Sequence, residues 1–127
     1  MTIQADVRAP LASALSGVTA SVYDAVPETI IPPAAVIVTD SPYMESTLIN
    51  AAVTKVKLNY VISAVVNYAN NAGALDQLEQ LVIQILGAMP ANYSVGVVDR
   101  PAPLTVGTGK FLISDIYVST YYTQENN

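Results

Sequence analysis

From Thr54 onward apolar and polar residues alternate. Val56, Leu58, Tyr60, Ile62, Ala64, Val66 and Tyr68 fall on one side, and Lys55, Lys57, Asn59, Ser63 and Asn67 on the other. A side-chain period of two belongs to a β-strand, and a strand this long overshoots a small domain or bends across it. Its second face is only half polar, because Val61 and Val65 lie there. Lys110–Thr123 (KFLISDIYVSTYYT) reads as a second long strand, rich in β-branched and aromatic residues. The QENN tail after it is expected to fray.

Between the two long strands the spacing turns helical. Leu75, Leu78, Leu81, Val82, Ile85 and Leu86 form one stripe from about Ala74 to Met89, with Asp76, Gln77, Glu79, Gln80 and Gln84 outside it. Asn70, Asn71, Ala72 and Gly73 break the preceding strand and offer a cap, acidic residues in the first turns suit the helix dipole, and Pro90 ends the helix. A shorter helix is expected near the N-terminus, well formed from about Ala9, with Pro10 in its first turn, Leu11 and Leu15 on one side and Gly17 as its stop.

Short strands fill the remainder: Val18–Tyr23, Ala35–Thr39 and Tyr93–Asp99. The intervening DAVPETIIPPAA holds three prolines among Val26, Ile30 and Ile31, which excludes a central strand or helix and leaves a stiff, extended connection. Asp40–Thr47 opens on Ser41-Pro42 as a turn, and Arg100–Lys110 is a loop or hairpin; both are expected to be contact loops. The sum is a two-layer α+β domain spanning residues 1–127, with two helices packed on one face of a mixed or mainly antiparallel sheet.

Composition changes this picture in one respect. Hydrophobic residues make up 52% and charged residues only 12%, against about 25% charged in ordinary soluble domains. Charges normally break exposed apolar surface into small patches, so their scarcity predicts that another chain covers part of this one. No window of membrane-spanning length lacks polar residues, and MTIQADVRAP has neither the basic start nor the apolar run of a secretory signal. A soluble protein of a cytoplasm-like compartment is therefore expected, and the absence of cysteine agrees. The net charge is −5 and the basic residues Arg8, Lys55, Lys57, Arg100 and Lys110 are scattered, which disfavours tight nucleic-acid binding.

Catalytic equipment is sparse. With no His and no Cys, the chain lacks the commonest general base, the commonest metal ligand and the thiolate nucleophile. Asp76 and Glu79 share a helix face that reads as solvated, Asp99-Arg100 as an exposed ion pair, and Asp115 as a structural acid within a strand. Val106–Lys110 (VGTGK) lacks the phosphate-loop spacing and leads into a strand, so a glycine-rich hairpin is expected there. The expectation is no catalysis, no metal and no cofactor.

The order and character of these segments resembles the tail-terminator (tail-completion) proteins of long-tailed bacteriophages. The resemblance runs through the short N-terminal helix, VYDAVPETIIPPAAVIVTDSPY, the strand KVKLNYVISAVVNY, the helix ALDQLEQLVIQILGAM and the closing strand KFLISDIYVSTYY. It covers nearly the whole chain without a single diagnostic motif. It implies a virion protein of the tail or neck, assembled in the host cytoplasm as a ring, usually of six subunits. Such a ring caps the tail tube, joins it to the head–tail connector and passes DNA through its lumen without sequence-specific binding. Six chains at −5 each would carry −30 in all, which keeps DNA sliding. Candidate subunit and partner contacts, taken from pattern alone, are Val26, Pro27, Ile30, Ile31, Pro32, Pro33, Pro42, Tyr43, Met44, Pro101, Leu104 and Val106. The alternatives are another neck or tail-tube structural protein and, behind it, a small-ligand binding module walled by the tyrosines.

Overall fold

A computed structural model describes residues 3–17, 21–23, 32–49, 52–68, 72–106 and 109–125. The chain begins with a continuous helical segment: a π-turn at Gln4–Arg8, helix α1 at Ala9–Ala14 and a 3-10 turn at Leu15–Gly17. Strands β1 (Ser21–Tyr23), β2 (Ala34–Ile49) and β3 (Val53–Asn67) lead to helix α2 (Ala72–Ala88). Strands β4 (Ser94–Val98), β5 (Ala102–Val106) and β6 (Gly109–Glu125) close the chain. All six strands form one sheet in the order β1-β2-β3-β6-β4, with β5 continuing the β4 edge along β6. Only β1 with β2 is parallel; every other pairing is antiparallel. The fold is α+β, as the pattern predicts.

The centre of the sheet is the β3–β6 ladder. All 15 residues of β3 pair with β6, from Val53 opposite Glu125 to Asn67 opposite Phe111. Gln124 and Glu125, expected in a frayed tail, are thus held in the ladder, and Asn126 and Asn127 lie outside the described residues. In such a ladder even-numbered β3 residues share a face with even-numbered β6 residues. That face buries Leu58, Tyr60, Ile62, Ala64 and Val66 together with Leu112, Ile116 and Val118.

The helices pack on this same face. Val7, Leu11 and Leu15 come from the N-terminal segment, and Ala74, Leu78, Leu81 and Ile85 from α2. Each fully buried Leu or Ile contributes roughly 1.5–3 kcal/mol of transfer free energy. In α2 the buried stripe is Ala74, Leu78, Leu81 and Ile85, with Val82 and Leu86 half-buried against the core, whereas Leu75 is 41% exposed. The helix also starts at Ala72, two residues before its expected start, so Asp76 falls outside the first turn.

One expected loop is part of a strand, and the loop or hairpin expected over Arg100–Lys110 is a hairpin. Asp40–Thr47 lies inside the 16-residue β2. Its Ser41-Pro42 turn signal is absorbed as a bulge: Thr39 pairs with Tyr60 and Met44 with Leu58, so five steps on β2 match two on β3. A bulge inserts residues without ending the strand and re-aims their side chains. Tyr43 turns inward, its hydroxyl 3.0 Å from that of Tyr60 and the rings edge-to-face at 5.5 Å. On the opposite face the Asn59 amide donates to the Pro42 carbonyl at 3.0 Å and to Glu45 Oε2 at 2.7 Å. The Arg100–Lys110 segment contains β5, hairpinned to β6 with Val106 opposite Gly109. Pro103 is tolerated there because β5 is an edge strand whose missing N–H costs no ladder bond on its outer side.

Candidate functional site

Three surfaces remain once the helices have covered one face: the second face of the sheet and its two edges. The second face carries the odd-numbered residues of β3 and β6, and among the described residues no helix lies on it. Val36, Val61 and Val65 are buried on it, interleaved with polar and acidic residues, since Val36 and Asp115 both lie opposite Ser63 and Val61 lies opposite Tyr117. The Ser63 hydroxyl donates to Asp115 Oδ1 at 2.7 Å, and the Tyr117 hydroxyl donates to Asp99 Oδ2 at 2.7 Å. The hydrogen bond to Asp99, then burial and the charges of Asp99, Asp115 and Asp40, push the Tyr117 hydroxyl up to about 12. Asp40, Asn59, Ser94, Tyr117 and Ser119 border a shallow depression of about 190 Å³ on this face. Farther out, Lys57 lies 4.0 Å from Glu45, and the Lys55 ammonium sits 5.1 Å from the centre of the Tyr121 ring.

Asp99 organises the junction between β4 and β5. Its N–H donates to the Asp115 carbonyl at 2.8 Å, its carbonyl accepts from the Ser114 hydroxyl at 2.7 Å, and its carboxylate takes Tyr117. The expected partner for Asp99 was Arg100; its carboxylate instead meets a tyrosine across the sheet. Gly96 sits where β4 bulges between Val95 and Val98, and a Cβ there would lie 3.4 Å from the Tyr117 carbonyl. Glycine lets the strand approach that closely.

The edge formed by α2, β4 and β5 is apolar. Every residue of β4 is exposed, Val97 at 66%, and Ile83 on α2 is 63% exposed. Between α2 and β4 runs a cleft of about 370 Å³ lined by Leu78, Val82, Ile83, Val98 and Pro101, with Glu79, Asp99 and Ser114 as its polar members. The opposite edge is that of β1 and β2. Beyond Val36 nothing among the described residues pairs with the outer side of β2. That stretch is guarded: Asp40 Oδ1 accepts the Ser41 N–H at 2.7 Å, and Pro42 has no N–H to offer.

The candidate contacts distribute over these surfaces. Val26, Pro27, Ile30 and Ile31 lie outside the described residues. Pro32 and Pro33 are half-buried at the entry to β2, where the Pro33 carbonyl accepts the Ser21 N–H at 3.0 Å. Pro42 and Met44 are exposed on the β2 edge, while Tyr43 between them is half-buried against Tyr60. Pro101 lines the cleft, Leu104 is 39% exposed on β5, and Val106 ends that strand. Pattern reading missed Ile83, Val97 and Val98. Ile83 falls off the leucine stripe, and a large apolar residue on the outer side of an amphipathic helix was the available signal.

A second depression of about 340 Å³ lies between the N-terminal helix and the end of β6, lined by Asp6, Pro10, Tyr93 and Tyr122 among others. The Tyr122 hydroxyl donates to Asp6 at 3.3 Å across it. No helix among the described residues is long and apolar enough to cross a membrane. No protein-family model matches the chain, and no curated protein is significantly similar to it.

Proposed function

We propose that this chain is a structural subunit of a phage tail, a tail-terminator protein that closes into a ring, caps the tail tube and joins it to the head–tail connector. One observation carries the reading. Among the described residues the helices cover a single face of the sheet, and nothing pairs with the outer side of β4 or of β2 beyond Val36, so the edges can take neighbours and the polar groups of the other face can line a lumen. A subunit whose two edges differ meets its copies through unlike surfaces, and such contacts close into rings when the rotation allows. The resemblance drawn from the sequence supports the same architecture, as does the scarcity of charge.

The helix-free face suits a DNA conduit. Asp40, Asp99 and Asp115 gather there with serine and tyrosine hydroxyls. Carboxylates repel phosphate and release no counterions, so DNA passes without being held. No catalytic chemistry, metal or cofactor enters this function, and the role is virion structure within the tail or neck.

The competing structural reading is a tube protein, which stacks rings into open polymers. Light scattering on the purified chain separates the two. A terminator gives a single size that does not grow with time, whereas long polymers would sink the terminator reading.

A further inference from the structure

The depression of about 340 Å³ between the N-terminal helix and the end of β6 lies within a single chain and does not depend on the ring. Its volume falls in the range of small-molecule sites, roughly 300–1,000 Å³. Hydrogen bonds tie its walls from three sides. The Tyr93 N–H donates to the Pro90 carbonyl at 3.1 Å and closes a turn. The Thr120 hydroxyl on β6 donates to the Asn92 carbonyl at 3.0 Å, and the Tyr93 hydroxyl donates to the Val7 carbonyl at 3.4 Å. Tyr122, opposite Val56 on the helix side of the sheet, supplies a second ring, and Pro10 and Pro90 add stiff apolar wall.

The hydroxyl protons around this cavity are already engaged. Those of Tyr93, Thr120 and Tyr122 go to Val7, Asn92 and Asp6, which leaves the oxygens as acceptors. Asp6 is the one charged side chain among the lining residues, and no Lys or Arg joins it there. Its Oδ2 takes the Tyr122 hydroxyl at 3.3 Å, a proton that Gln124 shares at 3.4 Å. Its second oxygen has no hydrogen-bond partner among the described residues. Arg8 does not line the cavity, and its charge acts on Tyr60 instead. Lys55 lies on the other face of the sheet, against Tyr121. Burial raises Tyr93 to about 12, and burial with the charge of Asp6 raises Tyr122, so both phenols stay neutral where an amine is charged. Acceptors without free donors match a ligand that only donates. An ammonium has three N–H groups and no acceptor, and tyrosine ring faces attract it. A guanidinium would need both carboxylate oxygens for its fork, and one is taken.

The geometry points to this cavity as a binding site for an alkylammonium group, its head against Asp6 and the phenol oxygens of Tyr93 and Tyr122 and its apolar stem against Pro10 and Pro90. A lysine side chain of a partner and a free amine share this chemistry. Isothermal titration calorimetry of the full chain with n-butylammonium is expected to show saturable binding, while butyrate and n-butanol give none. Asp6→Asn should weaken binding by about tenfold or more. Asp6 is exposed, so the urea midpoint of that variant should not move. Asp76→Asn removes an equal charge from the exposed side of α2 and should leave binding unchanged. Tyr122→Leu, which keeps Asp6, should weaken it. Acetyl-Gly-Lys-Gly-amide binding as tightly as butylammonium would identify a partner's lysine as the source, and exclusion of the peptide alone would identify a free amine. No saturable binding, an Asp6→Asn variant that binds as well as Asp76→Asn, or butanol binding equally would overturn the site.

Discussion

Leu11, Leu58, Ile62 and Ile85 are fully buried between the helices and the sheet, and their truncation leaves a cavity that close-packed neighbours fill only in part. Ile62→Ala is expected to cost about 2–5 kcal/mol in urea denaturation. Ile83→Ala, at a position 63% exposed, should change the same measurement by less than about 0.5 kcal/mol. Tyrosines set the alkaline limit. Burial and the Tyr43 hydroxyl push Tyr60 far above its ordinary value, and burial alone raises Tyr93 to about 12. Because folded values lie above unfolded ones, the stabilisation is fully present below about pH 10 and is lost as pH rises toward 12. Denaturation midpoints should therefore hold steady through neutral pH and fall above pH 10, with a shallower fall in Tyr60→Phe. Which apolar residues face the core was legible along β3, where alternation is strict, but not along β6, where Phe111, Leu112 and Ile113 run together and Ser114 and Thr120 are buried. It was legible only in part in α2, where seven leucines, valines and isoleucines crowd the helix and only register against the sheet decides that Ala74 is buried and Leu75 is not.

Among elements, β3 is paired on both sides along most of its length and carries the core, while β4 is exposed throughout. Hydrogen exchange should follow this gradient: amides in the β3–β6 ladder slowest, those of β4 and β5 fastest. The β2 bulge is pinned by Asn59, whose amide serves both the Pro42 carbonyl and Glu45. Asn59→Ala should cost about 0.5–1.5 kcal/mol and speed exchange over residues 40–46. The long strands and α2 were readable from periodicity. β2 beyond Thr39 was not, because Ser41-Pro42 is a turn signal by local chemistry, and β5 was readable only as the hairpin alternative, because Pro101 and Pro103 also signal a loop. Only pairing with β3 and β6 shows that an edge strand can absorb them.

At the scale of the whole molecule, the fold class followed from the order of elements, but the candidate surfaces did not. Asp40, Asp99 and Asp115 are far apart in sequence and meet only because β2, β3, β6 and β4 lie side by side. The apolar cleft likewise joins α2 to β4 across the sheet edge. Charged residues make up 12% of the chain, and Ile83, Val97 and Met44 are exposed. In the proposed ring a neighbouring copy covers them, and the acidic face would give DNA its passage. Native mass spectrometry of the purified chain at high concentration tests this most directly. The account predicts one closed species, a small fixed multiple of the 13.4 kDa chain and six in the usual ring. A spectrum of monomer alone, or an open series of ever larger polymers, would contradict it.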